Sequence, residues 1–93
     1  LADLPPLVAP FTPEAVTGLV GIEAGTIRQI ARDFCAADKA VAYGRMGVSV
    51  QAFGGLRQWL INLINLCSGN FDRPGGAMFA TPAADILELV AAF

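Results

Sequence analysis

Histidine is absent from this chain and cysteine occurs twice. The side chains that most often ligate metals or relay protons are therefore scarce. Cys35 and Cys67 lie far apart, and both fall on apolar faces of expected helices. Cysteine there packs as a small hydrophobe, so both are expected as buried free thiols. No protein-only zinc site follows from this spacing. Ser49 and Ser68 have no evident base, so no nucleophile–base pair is available. Charge is scarce too, at 15% of 93 residues with a net charge of −2. A nucleic-acid binder would carry a basic patch, and none is present. Long apolar runs are also missing. The best stretch, Leu56 to Cys67, is interrupted by Arg57, Gln58, Asn62 and Asn65. A spanning helix needs about 20 predominantly apolar residues, so no membrane partner is expected. No basic region followed by an apolar run marks a signal peptide. The sequence opens on Leu1 rather than Met, so the start of the protein is expected upstream.

What the chain does have is apolar bulk, at 55%. Soluble domains lie near 45–50% even with glycine counted, and small domains bury only about 60% of their unfolded surface. This composition points to a piece of a larger core, or to a chain with a partner. Residues 1–93 are accordingly read as a single fragment of a larger chain. No internal repeat or low-complexity tract divides it.

Residues 1–11 read as an extended lead-in, because Pro5, Pro6 and Pro10 oppose a helix. Thr12-Pro13-Glu14 is a helix-start signature: a capping hydroxyl, a first-turn proline and an acid at the positive end of the dipole. The spacing predicts a short helix from Pro13 to about Leu19, closed by Gly18 or Gly21. A second helix is expected over 24–37. Ile27, Ile30, Ala31, Phe34 and Cys35 share one face, and Arg28, Gln29, Arg32 and Asp33 lie on the solvated one. Asp38-Lys39 reads as a turn. Ala40 to Tyr43 is short and apolar without alternation, which reads as a strand buried on both faces of a parallel sheet. Gly44 to Gly55 reads as a loop. A third helix is expected over 56–68. Its apolar half holds Leu56, Trp59, Leu60, Leu63, Ile64, Leu66 and Cys67. Its polar stripe holds Arg57, Gln58, Asn62, Asn65 and Ser68, with Ile61 intruding. Gly69-Asn70 ends it. Phe71 to Thr81 reads as loop with a turn at Arg73-Pro74-Gly75-Gly76. Residues 82–93 read as a terminal helix started by Thr81-Pro82.

A strand, a glycine-bearing loop and a helix make half of a nucleotide-binding unit, since glycine lets backbone approach a phosphate. The loop here is not G-x-G-x-x-G, and its helix starts late for the tight dinucleotide turn. The plain reading is a long loop with turn glycines. Asn70, Asp72, Arg73, Gly75 and Gly76 form a second polar loop. There Asn70 reads as a helix terminator, Asp72 with Arg73 as a solvated turn, and Met46 as a packing residue.

Two runs carry a resemblance. Tyr43-Gly44-Arg45-Met46-Gly47-Val48-Ser49 with Gln51-Ala52-Phe53-Gly54 is the first. The second extends from Trp59 to Phe79 and contains Ser68-Gly69-Asn70-Phe71-Asp72-Arg73-Pro74-Gly75-Gly76. Both resemble a region of the molybdopterin oxidoreductases, the family of formate dehydrogenases, nitrate reductases and dimethyl sulfoxide reductases. Gly21-Ile22 through Ile27-Arg28-Gln29-Ile30-Ala31-Arg32-Asp33-Phe34 is similar to the family's preceding helix, so the resemblance covers roughly residues 12–79. Val50 stands where many members carry Gln, with Gln51 one residue later, and Ser68 replaces the usual Thr.

The resemblance implies an α/β fold: a fragment of a dinucleotide-binding-like open-sheet domain, mostly helical, with one or two short strands. It implies a part in binding a bis(molybdopterin guanine dinucleotide) cofactor carrying molybdenum or tungsten, in a cytoplasmic or, as in some members, periplasmic enzyme. Gly44, Arg45, Met46, Gly47 and Gln51 are the candidate cofactor-binding residues. The family's metal ligand and iron–sulfur cysteines lie elsewhere in its long chains. This fragment is thus expected to hold no catalytic or metal-ligating residue, no cofactor in isolation and no activity of its own. Its expected partner is the remainder of the parent enzyme, with self-association when free. The rival reading is a helical protein-interaction module with no catalytic role.

Overall fold

The computed structural model describes residues 2–79 and 81–91. Six helices account for most of them: α1 (Leu4–Val8), α2 (Pro13–Val20), α3 (Ala24–Ala36), α4 (Met46–Ser49), α5 (Gly54–Cys67) and α6 (Ile86–Ala91). The described residues are mostly helical, with almost no strand. Residues up to Asp38 form one compact unit, and those from Lys39 form another.

In the first unit, α1 corrects the expected extended lead-in. Pro5 and Pro6 stand in its first turn, where the missing N–H groups have no intrahelical partner to lose. The Ala9 N–H closes the helix onto the Pro5 carbonyl at 3.0 Å. α2 begins as its sequence predicts. The Ala15 N–H donates to Thr12 Oγ1 at 3.2 Å, Pro13 follows the cap, and Glu14 occupies the first turn. Gly21, not Gly18, closes it, with φ of 70°. Only glycine adopts that conformation without penalty.

α3 packs on α2. Arg28 is not merely solvated: its guanidinium pairs with both Glu14 carboxylate oxygens, one at 2.9 Å. The Arg28 hydrogen bonds hold Glu14 below its ordinary carboxylate value, and Glu14 in turn raises Arg28. Both side chains remain substantially exposed, so the pair is a surface one and contributes little. On the same helix, Gln29 Nε2 donates to Asp33 Oδ1 at 2.7 Å, a one-turn pair.

The second unit is built around α5, with α4 packed against it. α4 lies inside the stretch expected to be loop. One helical turn suffices to form it, with the Val48 and Ser49 N–H groups donating to the Arg45 carbonyl at 2.9 and 3.2 Å. α5 starts earlier than expected, at Gly54, which is buried against Ser49. A side chain at Gly54 would collide with the Ser49 carbonyl.

α5 ends in a Schellman motif. The Gly69 N–H donates to the Leu66 carbonyl at 3.2 Å, and the Asn70 N–H reaches back to the Asn65 carbonyl at 2.8 Å. Gly69 takes the left-handed conformation, at φ 72°. Beyond it, Phe71 and Ala77 form an isolated parallel bridge around the Arg73-Pro74-Gly75-Gly76 turn. Phe71 and Phe79 stack edge to face with ring centroids 5.2 Å apart. The terminal helix begins later than expected: α6 covers Ile86–Ala91, residues 81–85 are not helical, so Thr81-Pro82 does not start it, and Ala92 and Phe93 lie outside the described residues.

Two expectations of burial are overturned. Cys35 and Cys67 are free, as expected, but both are exposed. The strand at Ala40–Tyr43 does not form among the described residues, and Val41 and Tyr43 are 49% and 76% exposed. A parallel strand needs a neighbouring strand, and the described residues supply none.

The packing of α5 inverts the usual logic of an amphipathic helix. Its apolar face, including Leu56, Trp59, Leu60, Ile64 and Leu66, is exposed. Of its polar stripe, Asn65 alone turns fully inward, while Arg57 and Asn62 stay exposed. Asn65 is 1% exposed, and no apolar side chain among the described residues is fully buried.

Candidate functional site

The site is positioned by one side chain. Asn65 Oδ1 accepts the Ala42 N–H at 2.8 Å, and its Nδ2 donates to the Ala42 carbonyl at 2.8 Å. The amide thus pairs with both backbone groups of one residue, as a neighbouring strand would. Nδ2 also donates to the Ile61 carbonyl at 3.1 Å, which ties the amide to its own helix. Every polar group that Asn65 buries is therefore engaged.

A second buried amide follows at Asn70, 2% exposed. Its backbone carbonyl accepts the Ala77 N–H at 2.8 Å, and its side-chain Nδ2 donates to Ser68 Oγ at 3.1 Å. Ser68 Oγ donates in turn to the Ile64 carbonyl at 2.8 Å. Gly76 lets the returning chain lie on Asn70, because a Cβ there would collide with the Asn70 carbonyl oxygen. Asn70 is more than a helix terminator: it joins the end of α5 to the turn that follows. Its Oδ1 is buried with no hydrogen-bond partner among the described residues.

These contacts leave an open cleft of about 330 Å³ between the 41–44 segment, α5 and residues 76–78. The side chains of Tyr43, Gln58, Ile61, Asn62 and Asn65 line it, together with Gly44. Among the described residues no charged side chain lines it. Among the described residues no group of three or more His, Cys, Asp or Glu side chains comes together to hold a metal ion. No described helix is long and apolar enough to cross a membrane.

Of the five residues nominated from sequence, only Gly44 borders this cleft. A Cβ on Gly44 would collide with Ile61 and approach Gln58 Oε1 to 3.2 Å. The glycine is thus needed for the close approach of this segment to α5. Arg45 caps α4, and its carbonyl accepts the α4 N–H groups. Met46 is 71% exposed in the first position of α4. Gly47 lies within α4 with no positive φ, and nothing stands within 4 Å of a Cβ built there. Neither strain nor crowding inside this chain demands glycine at 47. Gln51 is exposed beyond α4.

Sequence reasoning placed Gln58, Asn62 and Asn65 on a polar stripe and missed them as site residues. The available signal was their spacing of four and three residues, which sets all three amides on one helical face.

No protein-family model matches the chain, and no curated protein or solved structure matches it.

Proposed function

We propose that the chain is part of a molybdopterin-dependent oxidoreductase and contributes to binding the pterin guanine dinucleotide cofactor. One observation carries the reading. The residues of the resemblance, from Tyr43 to Ala77, coincide with the hydrogen-bonded framework of Asn65, Ser68, Asn70 and Gly76 that borders the cleft. The resemblance thus falls on residues that depend on one another structurally, which chance similarity in an apolar helix would not require.

The cleft accommodates one ring of such a cofactor rather than the whole of it. Amides and an aromatic ring suit a heterocycle, whereas a phosphate arm would call for cations or helix N–H groups. When bound, the cofactor supplies the redox chemistry. The part of this chain is to bind and orient, through Gly44 and the amide face of α5. In the longer chain, Ala40–Tyr43 would pair as a strand of an open sheet, with Asn65 holding its inner edge.

The test is to purify the longest chain encoded around this sequence and assay it for molybdenum or tungsten and for the fluorescence of oxidised pterin. Near-stoichiometric metal and pterin support the reading. Their absence from a folded, soluble chain refutes it. A helical interaction module is the second reading, favoured by the apolar faces of α3 and α5, where Ile30 and Trp59 are 58% and 52% exposed. It requires a partner that covers Trp59 while metal and pterin are absent.

A further inference from the structure

We infer that residues 45–53 form a strap, clasped onto α5 by Gln58 and hinged at Phe53, which opens and closes as one unit. The hinge is marked by its backbone. Phe53 stands at the N-cap of α5 with φ of 59° and ψ of 31°, and its side chain makes no capping bond. An N-cap residue is ordinarily extended and bonds the first turn through a side-chain oxygen. A phenylalanine in the left-handed region is strained, because its Cβ crowds the following carbonyl. Its ring gains no burial in exchange, being 80% exposed. Strain of this kind persists only where the surroundings hold it, and it gathers at segments that switch.

The clasp is a single side chain. Gln58 Nε2 donates to Ser49 Oγ at 2.8 Å and reaches the Arg45 carbonyl at 3.4 Å. Gln58 thus spans both ends of α4 from one position on α5. The remaining bonds of the segment are local: the Val50 N–H donates to the Met46 carbonyl at 3.0 Å, and the Gly54 N–H to the Gln51 carbonyl at 2.9 Å. Met46 and Val50 are both largely exposed, so little apolar burial secures the strap. Segments with few apolar contacts and exposed backbone bonds lie at the low-stability end of a structure. Strain at Phe53 favours opening by about tenfold, and a side-chain hydrogen bond such as Gln58 to Ser49 favours closure by about as much. Opposed effects of similar size keep both positions accessible, and a ligand that prefers one of them shifts the population. The inference rests on this geometry and does not need the cofactor reading. Where that reading holds, Arg45, Met46, Gly47 and Gln51 ride on the strap, and its opening governs access to them.

The experiment is native-state amide hydrogen exchange on the chain, read at Val50 and Gly54. The Asn70 amide, bonded to the Asn65 carbonyl at 2.8 Å, is the reference outside the strap. In the parent chain Val50 and Gly54 are expected to share one protection factor, lower than that of Asn70. Gln58→Ala keeps good helix propensity and should speed exchange at both strap amides about tenfold, leaving Asn70 unchanged. Ser49→Ala removes the other half of the clasp without touching α5 and should do the same. Phe53→Gly relieves the left-handed strain and should slow the strap amides by about tenfold. Glycine otherwise loosens a backbone, so faster exchange or no change in this variant overturns the hinge. Unchanged strap exchange in both clasp variants overturns the clasp, and Asn70 quickening with the strap in both overturns the separate unit. Separate protection factors for Val50 and Gly54 do so as well. Metal and pterin content do not enter these measurements, so this inference and the cofactor reading can each fail alone.

Discussion

Replacing Asn65 with leucine tests the framework most directly. Leucine keeps the branched heavy-atom skeleton and has better helix propensity, so the change chiefly removes the hydrogen bonds. Three hydrogen bonds of the side chain are lost, at 2.8, 2.8 and 3.1 Å. At about 0.5–1.5 kcal/mol net for each, the total lies near 1.5–4.5 kcal/mol. Ala42 is only part-buried, so water reaches some of what is orphaned, and the lower half of that range applies, about 1.5–3 kcal/mol. For a chain of this size each kcal/mol moves the melting temperature by about 4–8 °C. A drop of about 6–24 °C is therefore expected, measured by circular dichroism. The Ala42 amide, which donates to Asn65 Oδ1, should exchange with solvent much faster in the variant. Asn62→Leu, one turn away and unbonded, should stay within about 0.5 kcal/mol of the parent sequence. Asn65→Asp adds a pH test. The buried carboxylate would face the carbonyls of Ala42 and Ile61, so its folded-state pKa is raised above the unfolded value. The stability of this variant should be highest below about pH 3.9 and fall as pH rises through the folded value. If Asn65→Leu melts within about 3 °C of the parent, or if the Ala42 amide stays protected, the side chain does not substitute for a strand.

The glycines of the two loops should behave oppositely. Gly76→Ala puts a Cβ into the Asn70 backbone, whose carbonyl carbon would stand at 2.9 Å, and should cost about 1–3 kcal/mol in denaturant melts. Gly47→Ala meets nothing within 4 Å in a helical turn and should be neutral or stabilising by about 0.5–1 kcal/mol. A large loss at Gly47 in the isolated chain would contradict the placement of that residue. Glu14→Gln should remove an acid-sensitive component of the first unit. Because Arg28 holds Glu14 below its usual value, that component is present above the unfolded value and disappears as pH falls through the folded one. A parent and variant with superimposable acid-limb stability curves would refute it. The free chain should self-associate through its exposed apolar faces, with the Trp59 emission shifting to shorter wavelength as concentration rises. A sedimentation run showing only monomer, with an unchanged Trp59 spectrum, would contradict this.

Local signals were legible wherever one short-range interaction decides the conformation. Thr12-Pro13-Glu14 started α2, and Gly21 and Gly69 stopped α2 and α5, because caps and left-handed glycines act within a single turn. The turn at Arg73-Pro74-Gly75-Gly76 was readable for the same reason. Pro5 and Pro6 misled because proline is a helix breaker by position, and the first turn is the position it tolerates. α4 was hidden by Gly44, Gly47, Gly54 and Gly55, whose number reads as loop although two hydrogen bonds to the Arg45 carbonyl close a turn among them. The strand at Ala40–Tyr43 carried the composition of one, but a strand is a relation between two segments, and residue type reports on only one of them. For the site, Gly44 was visible through its resemblance, while the amide face of Gln58, Asn62 and Asn65 was read only as a polar stripe. Nothing in residue type distinguishes an asparagine that faces water from one that clamps a backbone.

The inverted packing of α5 has a physical logic. Directional hydrogen bonds are made locally: Asn65 needs only Ala42 and Ile61, and Asn70 bonds Ser68, Ala77 and the end of its own helix, with only its Oδ1 left over among the described residues. Burial of an apolar face needs a second surface of comparable area, and gains roughly 25 cal/mol for each Å² covered. Leu56, Trp59, Leu60, Ile64 and Leu66 have no such surface among the described residues. The polar framework can therefore set the geometry of the 41–44 segment before the apolar face of α5 is covered. Any surface that later covers this face meets a helix whose cleft side is already fixed by Asn65. Assembly would then add stability through the apolar side while the amide side keeps its shape, and the two sides of α5 should respond separately to substitution.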